Sequence, residues 1–235
     1  MIPLKNTARI AGIGYLIIFI TGIFSNFFVL ENLIVPDNAV ATANNIINND
    51  TLYRIGIFSF IIMVIFDVLL AWALYVIFIP VNKYLSLLSG WLRLVNATIF
   101  GIALINLLNV LQFLNGDAYL KVFTLERLYA RVLLSLSSFN ITWLIGLVFF
   151  GFHLLILGYL IYTSGCFPKP IGILLVLAGI GYLIDSFANF LLPFYADYKD
   201  IFLIIVIIPG IIGELSLTFW LFFKSITIPN LKEKL

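Results

Sequence analysis

The sequence predicts an all-α polytopic integral membrane protein. The expected architecture is a bundle of six transmembrane helices with one short interfacial helix, a single membrane domain over residues 1–235. Three observations carry that prediction. Hydrophobic residues make up 63% of the chain and charged residues 10%, against about 45–50% and about 25% in soluble domains. Polar groups could not cover so much apolar surface, so lipid must be the solvent. Six apolar stretches are each long enough to cross a bilayer, which takes about 20 residues. Segments of turn chemistry separate them, and runs this long inside lipid must satisfy their own backbone as helices.

The first span, about 9–30, starts soon after Lys5 and Arg9, as a signal peptide would. It has no small-x-small cleavage site and continues to Leu30, so it reads as a retained helix. "VPDN" at 35–38 closes it, and the second span follows at about 53–79. "IPVNK" at 79–83 leads to the third, about 87–114, which ends at "LNGD", 114–117. Residues 118–138, "AYLKVFTLERLYARVLLSLSS", have the amphipathic pattern of the interfacial helix. The fourth span is about 140–162, the fifth 171–192 after "SGCFPKP", and the sixth 201–223 after "LPFYADYKD". Proline in these joints removes a backbone donor and stops helices.

A net charge of +2 with scattered basic residues excludes nucleic acid as a partner. One cysteine, Cys166, excludes an intramolecular disulfide framework and a multi-cysteine zinc motif. With both termini cytoplasmic, the inner side holds Lys5, Arg9, Lys83, Lys169, Lys224, Lys232 and Lys234. The outer side then holds Arg54, Lys121, Arg127, Arg131 and Lys199. This excess of positive charge inside orients the protein in a bacterial cytoplasmic membrane with both ends in the cytoplasm.

Five ionisable residues fall inside the spans: Asp67, Arg93, His153, Asp185 and Glu214. A charge at a helix centre facing lipid costs roughly 2.5–3.5 kcal/mol or more, so these residues are expected to face protein or water. Counting the helical rise from the cytoplasmic ends puts Asp67 at about 18 Å, His153 and Glu214 at about 14 Å, Asp185 at about 21 Å and Arg93 at about 9 Å. Asn96 shares a face with Ser89 and Arg93, and Asn189 a stripe with Gly181, Tyr182 and Asp185. The candidate ligand- or proton-binding residues are therefore Asp67, Arg93, Asn96, His153, Asp185, Asn189 and Glu214. His153 and Glu214, at equal depth, are expected to share a proton. Arg93 either snorkels to the inner surface or pairs with a buried acid; its lower depth stands against a direct contact with Asp67.

Specific chemistries find little footing. Transmembrane haem ligation usually needs paired histidines, and the chain has one. No HExxH, no G-x-S-x-G elbow and no Walker loop occurs. Ser-His-Asp catalysis needs a serine beside His153, and none lies within one turn of it on its own helix. No catalytic residue and no cofactor is assigned, and a metal is left open.

Several segments carry a resemblance: "ARIAGIGYLIIFITGIFSNFFV", "DVLLAWALYVIFIPVNKYLSLLSGWLRLVNATIFG", "GLVFFGFHLLILGYLIYTSGCFPKPIGILLVLAGIGYLIDS" and "IPGIIGELSLTFWLFFK". With these segments the chain resembles the bacterial domain-of-unknown-function 4386 family of six-span membrane proteins. The resemblance implies the six-span fold and adds no mechanism. The expected function is binding or transport of a proton, a cation or a small amphipathic molecule at the polar centre. Alternatives are an intramembrane lipid-modifying enzyme, with His153 and a carboxylate as acid and base, and a structural or accessory subunit. The expected partners are the lipid bilayer and a small-molecule, lipid or cation ligand, with the oligomeric state open.

Overall fold

The computed structural model describes residues 4–115 and 121–224. These residues form seven helical elements and no strand. They are α1 (Leu4–Leu33), α2 (Ala39–Asn48), α3 (Asp50–Phe78), α4 (Lys83–Leu114), α5 (Leu125–Ser164), α6 (Lys169–Leu191) and α7 (Tyr195–Lys224). All but α2 are long and apolar enough to cross a bilayer. Within their most apolar windows only 28–50% of residues are buried inside the protein, so the remaining apolar surface needs lipid.

Local chemistry sets the helix ends. Asn38 caps α2, its side chain accepting from the Ala41 N–H at 2.9 Å. Asn82 caps α4, with its Oδ1 accepting from the backbone N–H groups of Tyr84 and Leu85 at 3.1 and 3.0 Å. This cap starts the third span at Lys83, four residues before the expected 87. Gly165, at φ 67°, turns the chain left-handed just past α5. Pro168 and Pro170 open α6.

The segment expected as a separate interfacial helix, 118–138, differs from that picture. From Leu125 it runs without a break into the fourth span as one helix of 40 residues, while 116–120 lie outside the described residues. Leu125, Leu128, Val132 and Leu136 keep a helical apolar period straight into the span, and no proline or glycine interrupts it. The short helix outside the spans is α2. The C-terminal residues 225–235, with Lys232 and Lys234, also lie outside the described part.

The described residues pack as two compact units. The first comprises residues up to Leu16, Phe66–Ala97 and Leu144 onward; the second comprises Ile17–Ile65 and Thr98–Trp143. The second is held by aromatic packing, with Phe100 stacked on Trp143 at 3.6 Å between centroids and Phe60 and Phe139 against the same indole. In α1 the helix widens to a π turn over Phe24–Leu30, and Ser25 Oγ donates to the Gly56 carbonyl at 2.9 Å.

In the first unit, close helix crossings depend on glycine. A Cβ on Gly158 would stand 2.6 Å from the Gly172 carbonyl oxygen, and one on Gly179 would stand 2.7 Å from that of Gly151. Bare Cα positions are what let α5 and α6 approach so closely. Pro209 inside α7 removes the N–H that would bond the Ile205 carbonyl. That carbonyl oxygen faces Gly181 of α6, 2.7 Å from where a Cβ would be. All the candidate residues named from the sequence fall in this unit.

Candidate functional site: a buried polar cluster

Arg93 is the centre of the cluster. It is 1% exposed, the largest fully buried side chain among the described residues. Its Nη2 donates to Asp67 Oδ1 at 2.6 Å, an ion pair buried on both sides. Its Nη1 donates to Tyr15 Oη at 3.3 Å and lies 3.2 Å from His153 Nε2. The guanidinium carbon also sits 5.1 Å from the Tyr15 ring centroid and 5.5 Å from that of Phe150.

The direct Arg93–Asp67 contact overturns the expected axial obstacle. Because Asn82 starts α4 at Lys83, Arg93 stands ten residues into its helix, about 15 Å. Asp67 stands eleven residues from the end of α3 at Phe78, about 16 Å. The apparent difference of about 9 Å shrinks to about one residue's rise. Snorkelling is ruled out by burial.

His153 is wholly buried, and its protonation pattern follows from its neighbours. Nδ1 lies 2.9 Å from both the carbonyl oxygen and Oγ of Ser89. Arginine has donors and no acceptor, so Nε2 must accept from Arg93 and the imidazole proton sits on Nδ1, aimed at Ser89. The ring is neutral in one fixed tautomer. Neither nitrogen is left for Glu214, so the expected His153–Glu214 pair does not form. Equal depth fixes height, whereas partnership also needs the right azimuth.

Ser89 supplies from another helix the serine that His153 lacks on its own. The pair is nevertheless not an activated nucleophile. A general base must accept the hydroxyl proton, and the nitrogen facing Ser89 already carries one. The second nitrogen faces a cation, where a catalytic triad has a carboxylate.

Glu214 on α7 is partly buried. Its carboxyl lies near the Tyr182 hydroxyl, and it feels the charges of Arg93 and Asp67. Gly210, one turn earlier, packs against the same tyrosine. Phe150 joins the two parts, stacked near His153 and edge-on to Tyr182 at 5.3 Å between centroids. Thr218 spends its hydroxyl on the Glu214 backbone carbonyl at 2.7 Å.

Asp185 is not part of this centre. Tyr195 Oη donates to its Oδ1 at 2.6 Å, and Asn189 lies near the same tyrosine. These residues pin the corner between α6 and α7. Asp185 stands six residues from the end of α6, about 9 Å, too near that corner to reach Arg93. Asn96 is fully buried with neither amide atom partnered, and Arg93 Nε is likewise buried without a partner. Among the described residues, no three of His, Cys, Asp and Glu are grouped to hold a metal ion.

Sequence reasoning missed Tyr15, Phe150 and Tyr195. A tyrosine in the apolar first span was a weak signal for the first. The other two had none above the general aromatic content.

Six apolar helices enclosing a buried Arg–Asp–His cluster define a multi-pass α-helical membrane protein. Residues 10–225 match the domain of unknown function DUF4386, and the chain belongs to that family. It is 34% identical over 176 residues to an "Uncharacterized protein" of Archaeoglobus fulgidus, covering 74% of this chain and 85% of that one. The family is therefore not confined to bacteria. No solved structure matches the chain.

Proposed function

We propose that this membrane protein binds, and on that basis transports, a proton or a small cation at Glu214. One observation carries the reading: a single guanidinium is set against two carboxyls. Arg93 is engaged by Asp67 at 2.6 Å, so Glu214 has a tyrosine hydroxyl beside it and, among the described residues, no ion pair of its own. With both acids ionised, the Asp67, Arg93 and Glu214 group would carry one excess negative charge. Desolvating that charge is costly, and a proton or cation on Glu214 removes it. His153 does not carry the proton in this scheme, because Arg93 and Ser89 hold it neutral. The protein is placed in a prokaryotic cytoplasmic membrane with both termini inside, on the distribution of lysine and arginine.

Infrared difference spectroscopy of the purified protein, titrated with and without sodium, tests the reading. A carboxylic C=O band that responds to pH or sodium should vanish in Glu214→Gln and survive in Asp185→Asn. A band unchanged in Glu214→Gln removes the proposal. The closed chain Asp67–Arg93–His153–Ser89 favours a second reading, in which polar groups fix helix register in an accessory subunit. In that case no ion-responsive band appears at all.

A further inference from the structure

Asn96 is 0% exposed, and neither its Nδ2 nor its Oδ1 has a hydrogen-bond partner. One turn earlier, Arg93 commits its terminal nitrogens to Tyr15, His153 and Asp67, while its Nε is also buried and unpartnered. A three-residue step puts both side chains on one face of α4. The register with α3 sets their height. Gly90 packs against Ala71 and Tyr75, so six residues farther along this antiparallel pair, Asn96 comes within about one turn of the height of residue 67. The unpartnered atoms therefore stand within about one turn of the Asp67–Arg93 ion pair.

Native structures leave few buried polar atoms unpaired, and each needs an explanation. Here three belong to two residues one helical turn apart on the same face, and their chemistry selects the occupant. Arg93 Nε–H and the Asn96 NH₂ donate, while Asn96 Oδ1 accepts. A carboxylate or phosphate could answer the donors only, and would add negative charge beside Asp67. A cation would meet the guanidinium. Water both accepts and donates, and a buried water makes about three hydrogen bonds to such groups. We propose that Arg93 Nε and the Asn96 amide form an internal hydration site, holding at least one water against the Asp67–Arg93 pair. Such a water gives the cluster a rotating hydrogen-bond link beside Asp67, a stepping point for a proton that fixed side chains do not supply. The site stands whether or not Glu214 binds an ion, so its failure leaves that reading untouched.

The test is Asn96→Leu in the full-length protein, melted in one detergent beside the wild type. Leucine keeps the branched shape and has no polar atom, and the smaller Asn96→Val, melted beside it, separates the loss of polar contacts from leucine's greater bulk. If nothing binds, the change removes two unsatisfied atoms and stability is equal or higher. If water is bound, the change strips its partners and strands Arg93 Nε, lowering the melting temperature by about 2–4 °C or more. A melting temperature at or above the wild type's overturns the proposal. Should the variant fail to fold, the wild-type infrared spectrum decides. A sharp O–H band apart from bulk water that shifts on exchange into H₂¹⁸O supports the site, and its absence overturns it.

Discussion

The Arg93–Asp67 pair can be broken from either side, and the two sides should not cost the same. At 2.6 Å, with side chains 1% and 4% exposed, it belongs to the class of buried pairs whose rupture costs about 3–5 kcal/mol. Most of that cost is the stranded charge. Arg93→Leu leaves Asp67 and Glu214 as two carboxyls without a cation, and also removes the donor that fixes the His153 tautomer. Asp67→Asn leaves Arg93 with Glu214 nearby as a surviving acid, so the group becomes neutral. Arg93→Leu should therefore lose the full amount and Asp67→Asn distinctly less. For a chain of 235 residues, at about 2–4 °C per kcal/mol, the larger loss is a fall of roughly 6–20 °C. The double variant should recover part of it, with a coupling of about 0.5–3 kcal/mol. The assay is thermal melting of all four proteins in the same detergent. Losses that add, or an Asp67→Asn loss equal to that of Arg93→Leu, would refute the idea that one guanidinium serves two acids.

Other expectations follow from particular contacts. Gly158→Ala sets a methyl 2.6 Å from the Gly172 carbonyl oxygen; prying α5 from α6 should cost about 1–3 kcal/mol in the same melting assay, and an unchanged melt would mean the helices do not cross so closely. Tyr195→Phe removes the 2.6 Å bond to Asp185 and should cost about 1–2 kcal/mol, with no effect on the ion-responsive carboxyl band assigned to Glu214. Reporter fusions at Lys83, Cys166 and Leu235 should read cytoplasmic and those at Asn45 and Asp197 external; a cytoplasmic signal at Asn45 reverses the orientation.

The sequence alone determined the six spans, because the length of an apolar run and the need to bond every backbone group in lipid are local properties. It also determined which polar residues had to turn inward, since Asp67, Asn96 and His153 in apolar runs had no acceptable alternative, whereas Arg93 could also have snorkelled until its burial decided the matter. The height of Arg93 was legible too, in the Asn82 cap: an asparagine followed by Lys-Tyr-Leu starts a helix at Lys83 and brings Arg93 level with Asp67. Partnership was another matter. His153 and Glu214 stand at similar depth, yet the imidazole faces Ser89 and Arg93, because helix rotation and neighbour choice come from packing around the whole bundle. Bare glycines on α5 and α6 set part of that packing, and no count of residues along one helix reveals it. Tertiary structure likewise drew Asp185 out of the centre to Tyr195, a residue from the start of the next helix. It also left Asn96 buried without a partner, because satisfaction of a polar atom depends on everything that surrounds it rather than on its own place in the chain.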